Sequence, residues 1–392
     1  MSSSKRVETQ LIHAGELRPR VHGAVNLPIF QSATYEYSVE DDYHDIRYIR
    51  LNNTPNHNVL HAKLAAIEGA EAAMVASSGM AAISTTLLSL LAKGDHFLLQ
   101  ECLYGGTHDF VTKDLPALGI EYDFIDASDP SSWESKLRKN TKAIYVETIA
   151  NPLMGVPELA AIVDFARSHK IVSMIDNTFA SPINFRPAEM GFDLSLHSCT
   201  KYLNGHSDIV GGACIGKATL VKNATRKLNH LGGTLDPHAA FLLHRGMKTL
   251  ALRVRQQNES ALKIANFLEK HAAIGGVNYP GLESHPGHAR AAKWFDGFGG
   301  MLSFELKEHD AQITDQFLKA LQLPICAPSL GGVESLITRP ATTSHLGLSK
   351  ADRKKIGISD ALVRFSTGIE ATEDLIEDFD QALRKISAKV AH

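Results

Sequence analysis

Between residues 193 and 207 the chain reads DLSLHSCTKYLNGHS. One amine, Lys201, follows the small residues Ser198, Cys199 and Thr200 and precedes an N-G-H-S turn. Partial burial disfavours the ammonium form of a lysine and frees the amine to act as a nucleophile or base. The hydroxyls of Ser198 and Thr200 could at the same time complete a shell around a phosphate. Taken alone, a solitary lysine reads most simply as a solvated surface residue.

Two further stretches change that balance. In VASSGMAAI, residues Ser77, Ser78 and Gly79 follow an apolar run and open a helix. Free N–H groups at a helix N-terminus suit an anion, and glycine lets it approach closely. The simpler reading of the same residues is an N-cap serine. In IVSMIDNT, Asp176 closes an apolar strand, where a buried carboxylate needs a cationic or hydrogen-bonding partner. A protonated pyridine nitrogen would be such a partner; an isolated turn aspartate is the plain alternative. A phosphate anchor, a pyridine-nitrogen partner and an imine-forming lysine together describe one ligand, pyridoxal 5'-phosphate.

Rival motifs are missing. The chain has no G-x-x-x-x-G-K-[ST], no G-x-G-x-x-G after a strand, no G-x-S-x-G elbow and no H-E-x-x-H. The histidines of HPGH, His285 and His288, read as a loop and not as metal ligands, so no metal is expected.

The elements that must position these residues follow from periodicity. VLHAKLAAIEGA (59–70), MAAISTTLLSLLAKG (80–94) and ELAAIVDFARSHK (158–170) have helical spacing, while HFLLQ, AIYVET, IVSMID and ACIG are short β-rich runs. Such alternation predicts an α/β fold with a mainly parallel central sheet, whose ligands sit beyond the carboxyl ends of the strands. MKTLALRVRQQNESALKIANFLEKH (247–271) reads as one long helix leading into a smaller C-terminal α+β unit with GGMLSFEL and ALVRFSTG as strands. The expected division is an irregular N-terminal arm over 1–55 that packs elsewhere on the molecule or on a neighbouring subunit, a cofactor-binding α/β domain over 56–246, and a C-terminal domain over 247–392.

Bulk properties narrow the function classes. A length of 392 residues exceeds what one core usually organises. A formal charge of −3 shows no basic footprint for nucleic acid. Apolar stretches such as 83–92 are too short to cross a bilayer, and MSSSKRVETQ has no apolar signal-peptide core. Four scattered cysteines without C-x-x-C spacing read as free thiols in a reducing compartment, so a cytoplasmic location is expected.

The block D-L-x-x-x-S-C-T-K-Y-L-x-G-H-S resembles the pyridoxal-phosphate enzymes of Cys/Met metabolism, the transsulfuration group, and the similarity runs through nearly the whole chain. The resemblance implies the aspartate aminotransferase-like fold type I and an enzyme acting on sulfur amino acids. It implies Lys201 as the lysine that holds the cofactor, Asp176 as the pyridine-nitrogen partner, and Ser78, Gly79 and Met80 as the phosphate loop, with Ser198 and Thr200 beside them. Tyr104 resembles the tyrosine that stacks on the cofactor ring and assists proton transfer, and Asn151 the asparagine near the phenolic oxygen. Tyr48 and Arg50 resemble a Tyr-x-Arg pair that reaches a neighbouring subunit's phosphate, Tyr48 also bordering the substrate. Ser329 and Arg364 resemble the groups that hold the substrate α-carboxylate, for which a guanidinium fork is suited. Such enzymes are tetramers built from dimers with shared active sites.

The activity implied is that of a carbon–sulfur lyase, with cystathionine γ-lyase first. Cystathionine γ-synthase, β-lyase and methionine γ-lyase are alternatives on the same catalytic set, and an aminotransferase or a non-catalytic scaffold are more distant ones. Departures fall around the distal pocket: Pro328 stands where a glutamate is common, Asp109 where an arginine is common, and Arg47 where an acid is common. After Arg50 the usual N-P-T is exchanged to Asn53-Thr54-Pro55, which bears on the following loop.

Overall fold

The computed structural model describes residues 6–38, 46–343, 346, 349–355 and 357–390. The chain divides into two compact units, one containing the described residues of Met1–Glu101, Asp109–Val146 and Glu158–Ala251, the other Cys102–His108, Glu147–Pro157 and Leu252–His392.

The first unit is built on seven strands: β1 (Ala72–Ala76), β2 (His96–Gln100), β3 (Glu121–Ile125), β4 (Thr141–Glu147), β5 (Val172–Asp176), β6 (Leu194–Ser198) and β7 (Gly212–Gly216). Their order is β1-β7-β6-β5-β4-β2-β3. Strand β7 runs antiparallel to both β1 and β6, whereas β2 pairs parallel with β3 and β4, and β5 parallel with β6. β2 and β7 are buried along their whole length, as expected of strands covered on both faces. The helix Leu159–His169 crosses from β4 to β5, burying Leu159, Ile162, Val163 and Ala166 at helical spacing and ending on Lys170 in the left-handed region. Strand β3, which the sequence did not reveal, is short and half-exposed, so its alternation signal is faint.

The reading of 1–55 as irregular is corrected over Val7–His13, which forms a helix. Its seven residues are too few to stand alone. Val7 and Leu11 are buried, and the helix is tied down by Lys63, whose Nζ donates to the Leu11 carbonyl at 2.7 Å. Glu16 then meets Lys63 at 3.5 Å and His244 Nε2 at 2.7 Å. Burial holds Lys63 down at about 8 and His244 down at about 4. The stabilisation is thus long-range, which local periodicity does not reveal.

The exchanged Thr54-Pro55 pair has a clear local role. Pro55 is the first residue of the helix Pro55–Glu68, where a missing N–H costs nothing. The preceding Thr54 Oγ1 lies 2.7 Å from His57 Nδ1.

His61 on that helix yields a stability prediction. The residue is half-buried overall, but Nε2 is enclosed with no hydrogen-bond partner among the described residues, and burial pushes its pKa from 6.5 down to about 3. The folded state therefore refuses a proton that the unfolded state accepts. Its contribution is fully present above pH 6.5 and is lost at about 1.4 kcal/mol per pH unit as pH falls toward the folded value. His61→Leu should flatten the acid limb of stability, measured by urea midpoints across pH; parallel curves for variant and parent would reject this.

The second unit carries a five-stranded sheet of β8 (Ile274–Asn278), β9 (Met301–Leu306), β10 (Ile325–Cys326), β11 (Leu336–Thr338) and β12 (Val363–Ser366) in the order β10-β11-β12-β9-β8. All pairs are antiparallel except β10 with β11. Its core joins Phe304, Phe317, Phe365 and Phe379 with Leu268 and Leu383 from the long helices. The helix expected over 247–271 spans Leu250–Lys270, because Met247 closes a preceding helix, Pro237–Met247. Lys248 and Thr249 bond back to Arg245 and Gly246, and Gly246 lies so close to the Asn204 carbonyl that a side chain would collide there.

Candidate active site

In the first unit, β5 and β6 pair in parallel, with Asp176 opposite Leu196. Both strands end at the same edge, so Asp176 and Ser198 emerge side by side. Gly79 lies against that edge too: a Cβ there would sit 3.0 Å from Ser198 Cβ and 3.1 Å from its Cα. The loop after β1 can come so near because Gly212 on β7 has no side chain; a Cβ would meet the Ser78 carbonyl at 2.1 Å. Ser78 caps the helix Gly79–Leu90, its Oγ accepting from Ala81 N at 2.9 Å. The plain N-cap reading is therefore correct for its side chain, while the first-turn backbone of Gly79 and the half-buried Met80 stands at the same sheet edge.

The lysine turn is shaped by main-chain bonds. Lys201 N donates to Ser198 O at 3.1 Å and Gly205 N to Lys201 O at 2.8 Å. Thr200 Oγ1 accepts from Gly211 N at 3.0 Å, so this hydroxyl is held within the turn. Ser198 N donates to Thr178 Oγ1 at 2.8 Å, which joins the end of β6 to the turn after β5. Lys201 is half-buried.

Asp176 Oδ1 accepts from Thr178 N at 2.9 Å, and Tyr145 Oη on β4 donates to Oδ2 at 3.4 Å. Part of the residue remains accessible, yet its carboxylate is deep enough that burial raises its pKa, opposed by the Thr178 hydrogen bonds and by the nearby His197. A carboxylate in that condition is stabilised by a cation brought to it. A phosphate-ready loop, a cation-seeking carboxylate and an amine at one sheet edge fit pyridoxal phosphate. Ser78, Gly79, Met80 and Ser198 would surround its phosphate, Asp176 would meet its ring nitrogen and Lys201 its aldehyde.

In the second unit, β12 alternates. Val363 and Phe365 enter the core, while Arg364 and Ser366 face the other way. Arg364 is buried, and its guanidinium donates to Asn151 Oδ1 at 3.3 Å and to the Ser329 carbonyl at 3.1 Å. Ser329 has φ +93, a conformation that a non-glycine residue rarely adopts. Gly331 N donates to Ser366 Oγ at 2.8 Å, fixing the same loop against the strand. Three of the expected residues, Asn151, Ser329 and Arg364, are thus brought together. Tyr104, 46% exposed, stands on the segment Cys102–His108, where its N–H donates to the buried Glu147 Oε1 at 2.6 Å.

Tyr48 and Arg50 are both surface residues of the first unit. Tyr48 bridges to Thr34, the Arg50 guanidinium lies 5.8 Å over the Tyr48 ring, and its Nη1 donates to Asn229 O at 2.9 Å. Pro328, Asp109 and Arg47 are exposed, Asp109 paired with Lys113 at 2.9 Å. No group of histidines, cysteines and acids among the described residues could hold a metal.

Sequence reasoning missed Tyr145, Thr178, His197 and Glu147. Tyr145 and His197 lie within apolar strand runs that read as ordinary core. Thr178 alone left a signal, since Asp followed two residues later by a hydroxyl suggests a local Asx turn.

A family model for Cys/Met metabolism PLP-dependent enzymes matches residues 8–384. The chain belongs to that family. Cystathionine gamma-lyase of Bacillus subtilis is 43% identical over 97% of this chain and 99% of its own, and cystathionine beta-lyase of Lactococcus lactis subsp. cremoris is 41% identical over 97% and 99%. The solved cystathionine gamma synthase of Xanthomonas oryzae pv. oryzae, described in complex with aminoacrylate and cysteine, superposes with a TM-score of 0.94 at 37% identity, covering 98% of this chain and 99% of that one. The family is pyridoxal-phosphate-dependent and shares the fold type I architecture, so the fold and cofactor expected from the sequence are correct. At such similar identities the members of the family are transsulfuration lyases and synthases alike, and the comparisons establish that class. Among the described residues no helix is long and apolar enough to cross a membrane.

Proposed function

We propose that the chain is a carbon–sulfur lyase that cleaves cystathionine at its γ-carbon, giving cysteine, 2-oxobutyrate and ammonia with uptake of one water. The 43% identity to a γ-lyase along almost the whole chain carries the choice of reaction. The same comparison gives 41% for a β-lyase, which makes β-cleavage the second reading.

Bound pyridoxal phosphate supplies an electron sink for the charge that develops on the substrate's α-carbon. Lys201 is the base that takes the α-proton and returns it further along the substrate. Asp176 keeps a proton on the ring nitrogen, its burial making an unpaired carboxylate costly. Arg364, held by Asn151 and the Ser329 carbonyl, takes the substrate α-carboxylate in a two-pronged contact, with Ser329 beside it. Tyr104, an exposed residue whose N–H is anchored by Glu147, would stack on the ring and assist the leaving thiol. Tyr48 and Arg50 serve a neighbouring copy's phosphate in a tetramer, a role suited to their exposure and to the exposed apolar side chains Ile12, Val25 and Ile29 of the same arm. A cytoplasmic location accords with four free cysteines.

Incubation with cystathionine decides the reaction: 2-oxobutyrate is expected, and pyruvate in its place would establish β-cleavage. If O-acylhomoserine plus cysteine is consumed to cystathionine much faster than cystathionine is cleaved, the synthase assignment replaces both. Arg364→Ala should lower kcat/KM for cystathionine by roughly 10²- to 10³-fold, since truncating one partner of a buried charge pair costs about 2–5 kcal/mol. A variant with unchanged kcat/KM would remove Arg364 from carboxylate binding.

A further inference from the structure

On the face of the central sheet opposite Asp176 lies a buried polar cluster that the proposed chemistry does not use. Strand alternation sends Ser195 and His197 of β6 to one side and Leu196 and Ser198 to the other. At the base of this cluster is Glu68, the last residue of the helix Pro55–Glu68, with no exposed side-chain surface. Its Oε1 accepts from His197 Nε2 at 2.7 Å and from Asn177 Nδ2 at 3.3 Å. Asn177 Nδ2 also donates to the Phe185 carbonyl at 2.9 Å, and Ser195 Oγ lies 3.2 Å from His197 Nε2. Glu68 Oε2 is buried with no hydrogen-bond partner among the described residues.

A buried carboxylate with one oxygen unpaired is costly, and a hydrophobic residue of similar volume would usually serve stability better. The two donors it collects are informative. Asn177 follows Asp176 directly, and its N–H bonds the Leu196 carbonyl of β6 at 2.8 Å. His197 lies between Leu196 and Ser198, and Ser198 N in turn holds Thr178, whose N–H bonds Asp176 Oδ1. Glu68 thereby grips, from below, both strand ends whose alternate residues form the site above.

We propose that Glu68 is a positioning residue: through Asn177 and the Nε2–H of His197 it holds the turn at 176–178, and so sets the alignment of Asp176 with the cofactor's ring nitrogen. The inference rests on the Asp176 role given above. Because the carboxylate needs a donor, it also selects the His197 tautomer with a proton on Nε2.

The test uses holoenzyme carrying cofactor labelled with ¹⁵N in the ring. In the parent protein a protonated ring nitrogen is expected; an unprotonated one would reject the Asp176 role itself. Glu68→Leu should keep the volume but orphan both donors, moving the ring ¹⁵N resonance toward the unprotonated value and lowering kcat about tenfold, with KM little changed. Glu68→Gln, which restores an acceptor, should recover most of both. A folded Glu68→Leu protein with the parental ¹⁵N shift overturns the proposal while leaving Asp176 in its role. Should Glu68→Leu not fold, Asn177→Ala, which breaks one link only, is expected to shift the ring resonance in the same direction, and an unmoved resonance overturns the proposal. Independently of any variant, ¹⁵N-histidine spectra of the parent must show a proton on Nε2 of His197; the Nδ1–H tautomer overturns the proposal.

Discussion

Lys201→Ala is expected to abolish both turnover and the visible absorbance of the bound cofactor. In the proposed mechanism the covalent attachment and the proton transfer reside on one amine, and general acid–base catalysis alone contributes roughly 10²- to 10⁴-fold. With the attachment also gone, a loss of about 10⁴-fold or more follows. The protein itself should survive. The turn is held by the backbone of Lys201, bonded to Ser198 O and Gly205 N, and by Thr200 with Gly211, none of which needs the side chain. A melting temperature near that of the parent is therefore expected, together with partial recovery of turnover on adding a small primary amine. If borohydride still fixed the cofactor covalently on the variant, or if turnover persisted, the covalent link would lie on another residue.

Asp176→Ala should be almost as severe, for a different reason. Its carboxylate is buried enough for its pKa to rise, so a pyridinium facing it gains a strong, poorly screened partner. Removing one member of a buried charge pair costs about 3–5 kcal/mol, which corresponds to roughly 10²- to 10⁴-fold in kcat if that cost falls on the transition state and not on the bound substrate. Asp176→Asn keeps the shape and Thr178 contact but not the charge, and should resemble the alanine variant more than the parent. Primary hydrogen isotope effects on the α-proton should rise in both, because proton abstraction becomes the slow step. An asparagine variant with parental kcat would show that shape, and not charge, is what position 176 supplies.

Two groups of expected functional residues were legible to different degrees. Lys201, Asp176 and the Ser78–Gly79 loop stand within a few residues of strand ends, and strand ends are visible as the points where apolar runs stop. Arg364 and Asn151 are far apart in sequence, and only the fold of the second unit brings their side chains within 3.3 Å. The positions Pro328, Asp109 and Arg47 were visible as departures from the family pattern, and all three are exposed. Thr200 carries a bond that local spacing does not reveal: its hydroxyl, read as a phosphate contact, also accepts from Gly211 N.

By itself the sequence determined the class of the fold and the cofactor, and singled out Lys201 as the amine to propose for it, because period-two and period-3.6 burial patterns and a dense run of chemically specific residues are local properties. Only the tertiary structure decided that Val7–His13 is helical, that Tyr145 and Thr178 frame Asp176, and that Glu68 reaches His197 and Asn177. Each of those is a contact between distant segments under burial, where the cost of an unsatisfied polar group selects partners by proximity in space and not along the chain.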